Sequence, residues 1–179
     1  MKRVFFLILY YGFATHLPDS YAPILGKIAN FIRIACVKRI VKKCGNISTI
    51  NKGAYFGNGR DIEMGDYSGM GANCHLPNNI IIGKYVMMGP DVYVVSNADS
   101  HEFSRTDIPM ALQGKREFAR TIIGDDCWIG ARVMIMPGRK IGKGCVLAAG
   151  AVVTKNVEQY SVMGGNPAKK IKSRLTEEK

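Results

Sequence analysis

An apolar residue returns every sixth position through much of this chain. In one stretch the positions are Met64, Met70, Leu76, Ile82, Met88 and Val94; in another they are Ile123, Ile129, Ile135, Ile141, Leu147 and Val153. The residue that follows is usually small: Gly65, Gly71, Gly83, Gly89, Gly124, Gly130, Gly142 and Ala148. A period of six matches neither the 3.6 residues of a helical turn nor the two-residue alternation of a long strand. It matches a short strand, a corner and another short strand wound as a coil, the repeat of a parallel β-helix. The first residue of each hexad points into the prism, and a small residue follows where a larger one would clash. The fifth residue also points inward; Cys74, Ile80, Val86, Val92, Cys127, Val133, Cys145, Ala151 and Val157 are small or β-branched there. Three hexads close one triangular turn, so residues about eighteen apart stack at roughly 4.8 Å. Each turn bonds only to its neighbours, so the two open ends need caps.

The repeat divides the chain. Residues 1–45 lack it and are expected to form an N-terminal helical cap. Val4 to Tyr11 is an apolar run behind Lys2 and Arg3, too short to span a bilayer and followed by no clean cleavage site. Residues 21–43 show helical spacing, with Ile24, Ile28, Phe31, Ile32, Ala35, Ile40 and Val41 on one side. Lys27, Arg33, Lys38, Arg39, Lys42 and Lys43 lie elsewhere, and Gly45 offers a stop. Such a segment suits first a cap on the open coil, and it can also lie on an anionic membrane, so peripheral membrane contact through residues 1–43 is a second expectation that can coexist with the first. Residues 46–160 form the coil, with a two-residue slip in phase near Gly57–Glu63. Residues 161–179 are a tail, with a short helix expected over 167–175 because Pro167 suits a first helical turn.

Within the coil, an insertion at about residues 99–121 breaks the phase and reads DSHEFSRTDIPMALQGKREFAR from Asp99 to Arg120. A long loop leaving a regular solenoid is where function tends to sit. It carries His101, Glu102, Arg105, Asp107, Arg116 and Glu117.

The formal net charge of +11 over 179 residues favours anionic partners. Nucleic acid is not expected among them, because the basic residues are scattered and no nucleic-acid motif is present. The five cysteines are odd in number and form no CxxC; Cys74, Cys127 and Cys145 take inward positions where cysteine serves as a small hydrophobe. Reduced thiols and a cytoplasmic setting are the expectation, at the inner face of the cell membrane if the basic segment docks there.

Several segments resemble the hexapeptide-repeat (left-handed β-helix) acetyltransferases: SNADSHEF before DIPM, IIGDDCWIGARV, and LAAGAVVTKNV followed by YSVMGGNPAKKIKSRL. The flavour is that of sugar and polysaccharide O-acetyltransferases and of galactoside and maltose acetyltransferases. The resemblance implies an all-β dominated, left-handed parallel β-helix with an N-terminal helical region, one long inserted loop and a short C-terminal helix. It also implies a homotrimer with active sites between subunits, acetyl-CoA as co-substrate, no metal for the chemistry, and transfer to a saccharide hydroxyl in cell-surface polysaccharide biosynthesis. His101 would be the general base, a role that suits a neutral imidazole. Glu117 leads Asp107 and Glu102 as the carboxylate that orients it. Trp128, Gly130 and Ala131 would line the thioester end, with a backbone amide near Ala131 donating to the carbonyl. Ala148 and Ala149 would border the pantetheine arm, with Thr154 continuing the wall. Lys155, Lys169 and Lys170 would meet the phosphates beside the Pro167 turn.

Asn73 and Asn97 are candidate saccharide contacts. His75 is either an acceptor contact or a plain coil-surface residue, and His16 reads as a surface or capping residue. Two departures from the family pattern stand out. His101 lies slightly farther beyond the Gly89–Pro90 corner, and Ala151 replaces a serine. The rival readings are an antibiotic acetyltransferase, a γ-class carbonic anhydrase with three histidines on zinc, and a non-catalytic scaffold. No two histidines of this chain lie close in sequence, which weakens the carbonic anhydrase reading.

Overall fold

The computed structural model describes residues 2–96 and 101–175. Two helices come first, α1 (Lys2–Gly12) and α2 (Gly26–Ile40). Seven strands precede the insertion: β1 (Lys43–Cys44), β2 (Thr49–Ile50), β3 (Glu63–Met64), β4 (Gly69–Met70), β5 (Ile81–Ile82), β6 (Met87–Met88) and β7 (Tyr93–Val94). Six follow it: β8 (Ile122–Ile123), β9 (Trp128–Ile129), β10 (Met134–Ile135), β11 (Lys140–Ile141), β12 (Val146–Leu147) and β13 (Val152–Val153). The chain closes with β14 (Ser161–Gly164) and β15 (Lys169–Ser173).

The strands stack in parallel on three faces. The first face runs β1-β3-β5-β8-β11. The second runs β2-β4, then β6-β9-β12-β14, joined where Gly69 N–H donates to Val86 O at 2.9 Å. The third holds Tyr55 and His75 as single bridges, then β7-β10-β13. Glu63 pairs Ile81 and Lys140 pairs Ile122, the expected eighteen-residue turn. Lys43 pairs Glu63 and Thr49 pairs Gly69, two residues more, so the slip near Gly57–Glu63 is real. Ile81 pairs Ile122 across 41 residues; beyond a turn of eighteen, the insertion accounts for the other 23.

Every first-position residue, and every fifth-position residue named above, is buried, so the periodic apolar set is the core; Arg139, fifth in the Ile135 hexad, instead turns outward to Thr154 O. The small second residue answers to close approach. A Cβ on Gly71 would stand 2.1 Å from Gly89 O in the turn above. Positive φ falls instead on the fourth residue of the hexad, as at Tyr67 (58°), Asn73 (53°), Tyr85 (57°) and Asp91 (57°). Cys127 and Cys145 stack inside, their thiols donating to Gly142 O at 3.2 Å and Glu158 O at 3.0 Å, and all five cysteines are free.

The caps differ from expectation in three ways. First, α2 stops at Ile40, well before Gly45, because Lys42 and Lys43 N–H groups are captured by Ile62 O at 3.1 and 3.2 Å and enter the first face. Second, the inward side of α2 is only partly the expected one: Ile40 and Val41 are buried as expected, but the earlier apolar positions are not. Ile24, Ile28 and Phe31 are exposed, while Ala29, Arg33, Cys36, Val37 and Ile40 face the coil. Arg33 is 0% exposed and donates to Ile50 O (2.6 Å), Ala14 O (3.4 Å), Leu17 O (3.2 Å), Pro18 O (3.0 Å) and Ser20 Oγ (2.9 Å). The irregular segment 14–20 leaves carbonyls that only a multi-donor side chain can satisfy, so the cation goes in. Burial pushes the Arg33 pKa down; its ordinary value is so high that it remains charged. Third, the short helix expected over 167–175 is absent. β15 instead pairs antiparallel with β14, matching Ser161 to Ser173 and Gly164 to Lys169. The last turn would otherwise present a bare edge, and covering it outweighs the local helical tendency of Lys-Lys-Ile-Lys.

Gly71→Ala is expected to lower unfolding stability by about 1–3 kcal/mol through overpacking. Gly12→Ala, with open space at its Cβ, should change it by less than about 0.5 kcal/mol; urea unfolding reads both. Arg33→Met should remove about 3 kcal/mol, seen as a Tm lower by roughly 6–12 °C.

Candidate active site

The insertion leaves the third face after β7 and returns at β8 on the first, so it projects from the corner between them. It is closed on itself. His101 bridges Lys115, and Glu102 N–H donates to Gly114 O at 3.1 Å. The Gln113 side chain accepts from Arg105 N–H at 3.0 Å and donates to Arg105 O at 2.7 Å and Ile108 O at 3.0 Å. The return is anchored by Arg120, which donates to Asn79 O at 3.0 Å, to Glu63 Oε1 at 3.2 Å and to Asp61 O. Lys43 and Arg120 hold the Glu63 carboxyl below its usual range.

Between loop and coil lies a cavity of about 590 Å³, lined among others by His101, Phe103, Arg116, Phe118, Arg139 and Thr154. The Arg116 guanidinium sits over Phe103 (5.7 Å) and Phe118 (5.2 Å), and that of Arg139 sits over Phe118 (6.0 Å). Arg139 also donates to Thr154 O at 3.2 Å. The imidazole therefore borders a cleft with two fixed positive charges, suited to an anionic group. Of the three carboxylates, Asp107 is engaged by Arg105, and Glu102 accepts Phe103 N–H at 3.1 Å, which holds its carboxyl below the usual range. Glu117 is exposed between the cavity-lining Arg116 and Phe118.

The other expected residues stand elsewhere on the prism. Trp128, 55% exposed, projects from the second face in register with Met87 and Val146. Gly130 and Ala131 follow at the corner between the second and third faces, with Ala148 and Ala149 in the next turn. A Cβ on Gly130 would stand 2.6 Å from Ala149 N. The Ala131 and Ala149 N–H groups make no backbone hydrogen bond among the described residues. That corner thus offers two amide donors one turn apart, beside small side chains. Pro167 is exposed in the β14–β15 turn and Lys169 and Lys170 on β15, with Lys170 paired to Glu158 at 3.3 Å. His101 and Thr154, with exposed Lys155 beside Thr154, occupy one corner; Trp128, Gly130, Ala131, Ala148 and Ala149 occupy another.

Asn73 is a corner residue with positive φ whose side chain donates to Asp91 Oδ1 at 3.2 Å. Asn97 lies outside the described residues. His75 is half-buried, stacked between Tyr55 (4.6 Å) and Tyr93 (4.5 Å) on the third face. His16 Nε2 lies 3.0 Å from Tyr11 O. Among the described residues, no three His, Cys, Asp or Glu side chains gather as a metal site.

Sequence reasoning missed a second cavity, of about 450 Å³, where Asp19 and Tyr21 meet Asn51, Met87, Gly89 and Pro90. Ser20 N–H donates to Asn51 Oδ1 at 3.0 Å, which brings the N-terminal turn onto the coil. A carboxylate beside small and apolar residues suits a hydroxyl-bearing ligand. No periodicity links residue 19 to the coil, so nothing in the pattern announced it.

A stacked hexad coil with one inserted loop defines a parallel β-helix protein whose cavity lies at the corner the loop leaves. The family profile described as "Bacterial transferase hexapeptide (six repeats)" matches residues 120–155. A putative acetyltransferase of Saccharomyces cerevisiae, YJL218W, is 32% identical over 144 residues, covering 79% of this chain and 70% of that protein. The chain belongs to the hexapeptide-repeat acetyltransferase family. A maltose O-acetyltransferase from Clostridium difficile 630 superimposes with a TM-score of 0.69 at 26% identity, covering 98% of this chain and 87% of that one. VCA0836 of Vibrio cholerae, solved with acetyl coenzyme A, gives 0.68 at 27% identity over 80% of this chain and 77% of that one. The chloramphenicol acetyltransferase of Klebsiella aerogenes is 37% identical over 114 residues, 56% of this chain and 54% of that protein. The chain thus spans about half the length of several curated relatives it matches.

Arg120→Ala should free the loop's return. Hydrogen exchange at Phe118 to Thr121 should rise clearly, while Tm falls by only about 2–4 °C. Because Glu63 titrates below its usual range, the anchor should be fully present at neutral pH. It is lost only as pH falls through that depressed pKa.

Proposed function

We propose that this protein transfers an acetyl group from acetyl-CoA to a saccharide hydroxyl, working in the cytoplasm as a homotrimer in cell-surface polysaccharide assembly. The carrying observation is His101 at the rim of the cleft between loop and coil, beside Arg116 and Arg139. A separate corner offers small side chains and the amides of Ala131 and Ala149, which make no backbone hydrogen bond among the described residues. In one chain these corners lie apart, so a neighbouring copy that sets one against the other completes the site. The likeness to a maltose O-acetyltransferase and to a protein solved with acetyl coenzyme A supports the sugar acceptor and the donor.

When bound, acetyl-CoA supplies a carbonyl carbon activated as a thioester. His101 takes the proton from the acceptor hydroxyl as its oxygen attacks that carbon, and the C–S bond breaks. The same proton passes from the imidazolium to the departing thiolate, giving the free thiol, which balances the step without a covalent enzyme intermediate. Glu117 orients the imidazole. The amide near Ala131 donates to the oxygen that gains negative charge. Trp128 and Gly130 shape the thioester end, and Ala148, Ala149 and Thr154 border the pantetheine arm. Lys155, Lys169 and Lys170, near Pro167, bring positive charge to the phosphates. Asn73 and Asn97 contact the acceptor. A second reading, acetylation of an antibiotic hydroxyl, is favoured by the chloramphenicol acetyltransferases among the relatives. It needs the same donor site and the same base.

Acetyl-CoA at about 100 times its Kd should add about 2.7 kcal/mol, a Tm rise of roughly 5–10 °C; no rise sinks the reading. His101→Ala should keep that rise and lower kcat by about 10²–10⁴-fold in a thiol-release assay. Unchanged turnover would remove His101 from its role. Running that assay on sugars and on chloramphenicol separates the two acceptors.

A further inference from the structure

We propose that the outer side of α1 and α2 docks on an anionic lipid bilayer. The inference stands independently of the acetyl-transfer reading. Both helices cover the N-terminal end of the coil. Their inward residues, Tyr10 on α1 and Cys36, Val37 and Ile40 on α2, join the core. What remains outside is strongly apolar: Ile24 is 86% exposed, Phe31 71% and Ile8 68%, with Phe5, Val4 and Ile28 close behind. Ile28 and Phe31 follow helical spacing on α2, as do Val4 and Ile8 on α1, and Ile24 stands in the turn just before α2, so these are stripes rather than scattered residues. Contiguous apolar surface of this kind marks a binding face.

The charge around the stripes selects the partner. Lys2, Lys27, Lys38 and Arg39 are exposed on the same two helices, and neither helix contains an acidic residue. Residues 2–60 hold ten basic residues against one acidic residue, Asp19. That segment carries +9 of the whole chain's +11; within it Arg33 is buried and Lys42 and Lys43 pair with Glu63, so the charge offered at the outer side of the helices comes from Lys2, Lys27, Lys38 and Arg39. A second copy of the same cap would set like charge against like charge. An anionic bilayer supplies both negative charge and apolar depth. The helices have 11 and 15 residues. At about 16 and 22 Å they fall short of the ~30 Å hydrocarbon core. No helix among the described residues is long and apolar enough to cross. They would lie in the interface, with the coil standing off the surface and the His101 loop free.

The test is flotation of the full chain with vesicles of phosphatidylcholine and phosphatidylglycerol, against vesicles of phosphatidylcholine alone. The protein should float with the anionic vesicles, less so at high salt, and stay behind with the neutral ones. Ile8→Ser with Ile28→Ser and Phe31→Ser should weaken flotation by about tenfold or more. Lys27→Glu with Lys38→Glu should do likewise, and neither set should lower Tm. The charge variant leaves the apolar stripe intact and so guards against a folding defect. Absence of flotation, or flotation that both variants retain, overturns the proposal. So would a wild type that does not float but whose oligomer mass drops in the apolar variant, because the stripe would then be a subunit contact. Acetyl-CoA stabilisation in the same samples reads the donor site separately.

Discussion

Everything in this molecule depends on the backbone ladder that joins each triangular turn to the next. Two-residue strands bury little by themselves. They persist because the same register recurs, with Glu63 on Ile81, Ile81 on Ile122 and Ile122 on Lys140. Inward residues then touch their equivalents one turn away and form a continuous column from Ile50 to Val157. The ladder also dictates the glycine that follows most strands of the first two faces, as at Gly71 and Gly130, because neighbouring backbones pass too closely there for a Cβ. Such a solenoid gains stability turn by turn and is exposed at its ends.

The ends and the interruption are where this chain becomes particular. At one end α2 covers the opening and buries an arginine whose partners are mostly carbonyls of an irregular segment. At the other the chain doubles back as β15 to cover the edge of β14. The interruption gathers His101, Arg116 and Arg139 around one cavity. A rigid solenoid makes a good platform for that purpose, since its corners hold their spacing while the loop is anchored through Arg120.

Legibility followed periodicity. The coil, the inward set, the slip near Gly57–Glu63 and the place of the insertion could all be read, because each is written as phase. The role proposed for His101 rested on its place in the inserted loop together with the resemblance of the sequence around it and of the WIG hexad that follows, and the cavity beside it fits that reading. Arg33 could not be read. Its position among apolar neighbours gave no hint that segment 14–20 would need a multi-donor side chain. The same blindness misdirected part of the face of α2, where Ile28 and Phe31 point outward while Ile40 lies in the core. Asp19 was missed because its value comes from a turn folded onto the coil far along the sequence.

By itself, the order of residues determined that a hexad coil must form, since only that geometry buries an apolar residue at every sixth position and spares the corners. Tertiary structure alone decided how the ends are closed, which side of α2 faces the core, and which corner each polar group occupies. The physical reason is range. A period is a local property that repeats, whereas satisfying orphan carbonyls and covering an open edge depend on segments brought together only when the coil is complete.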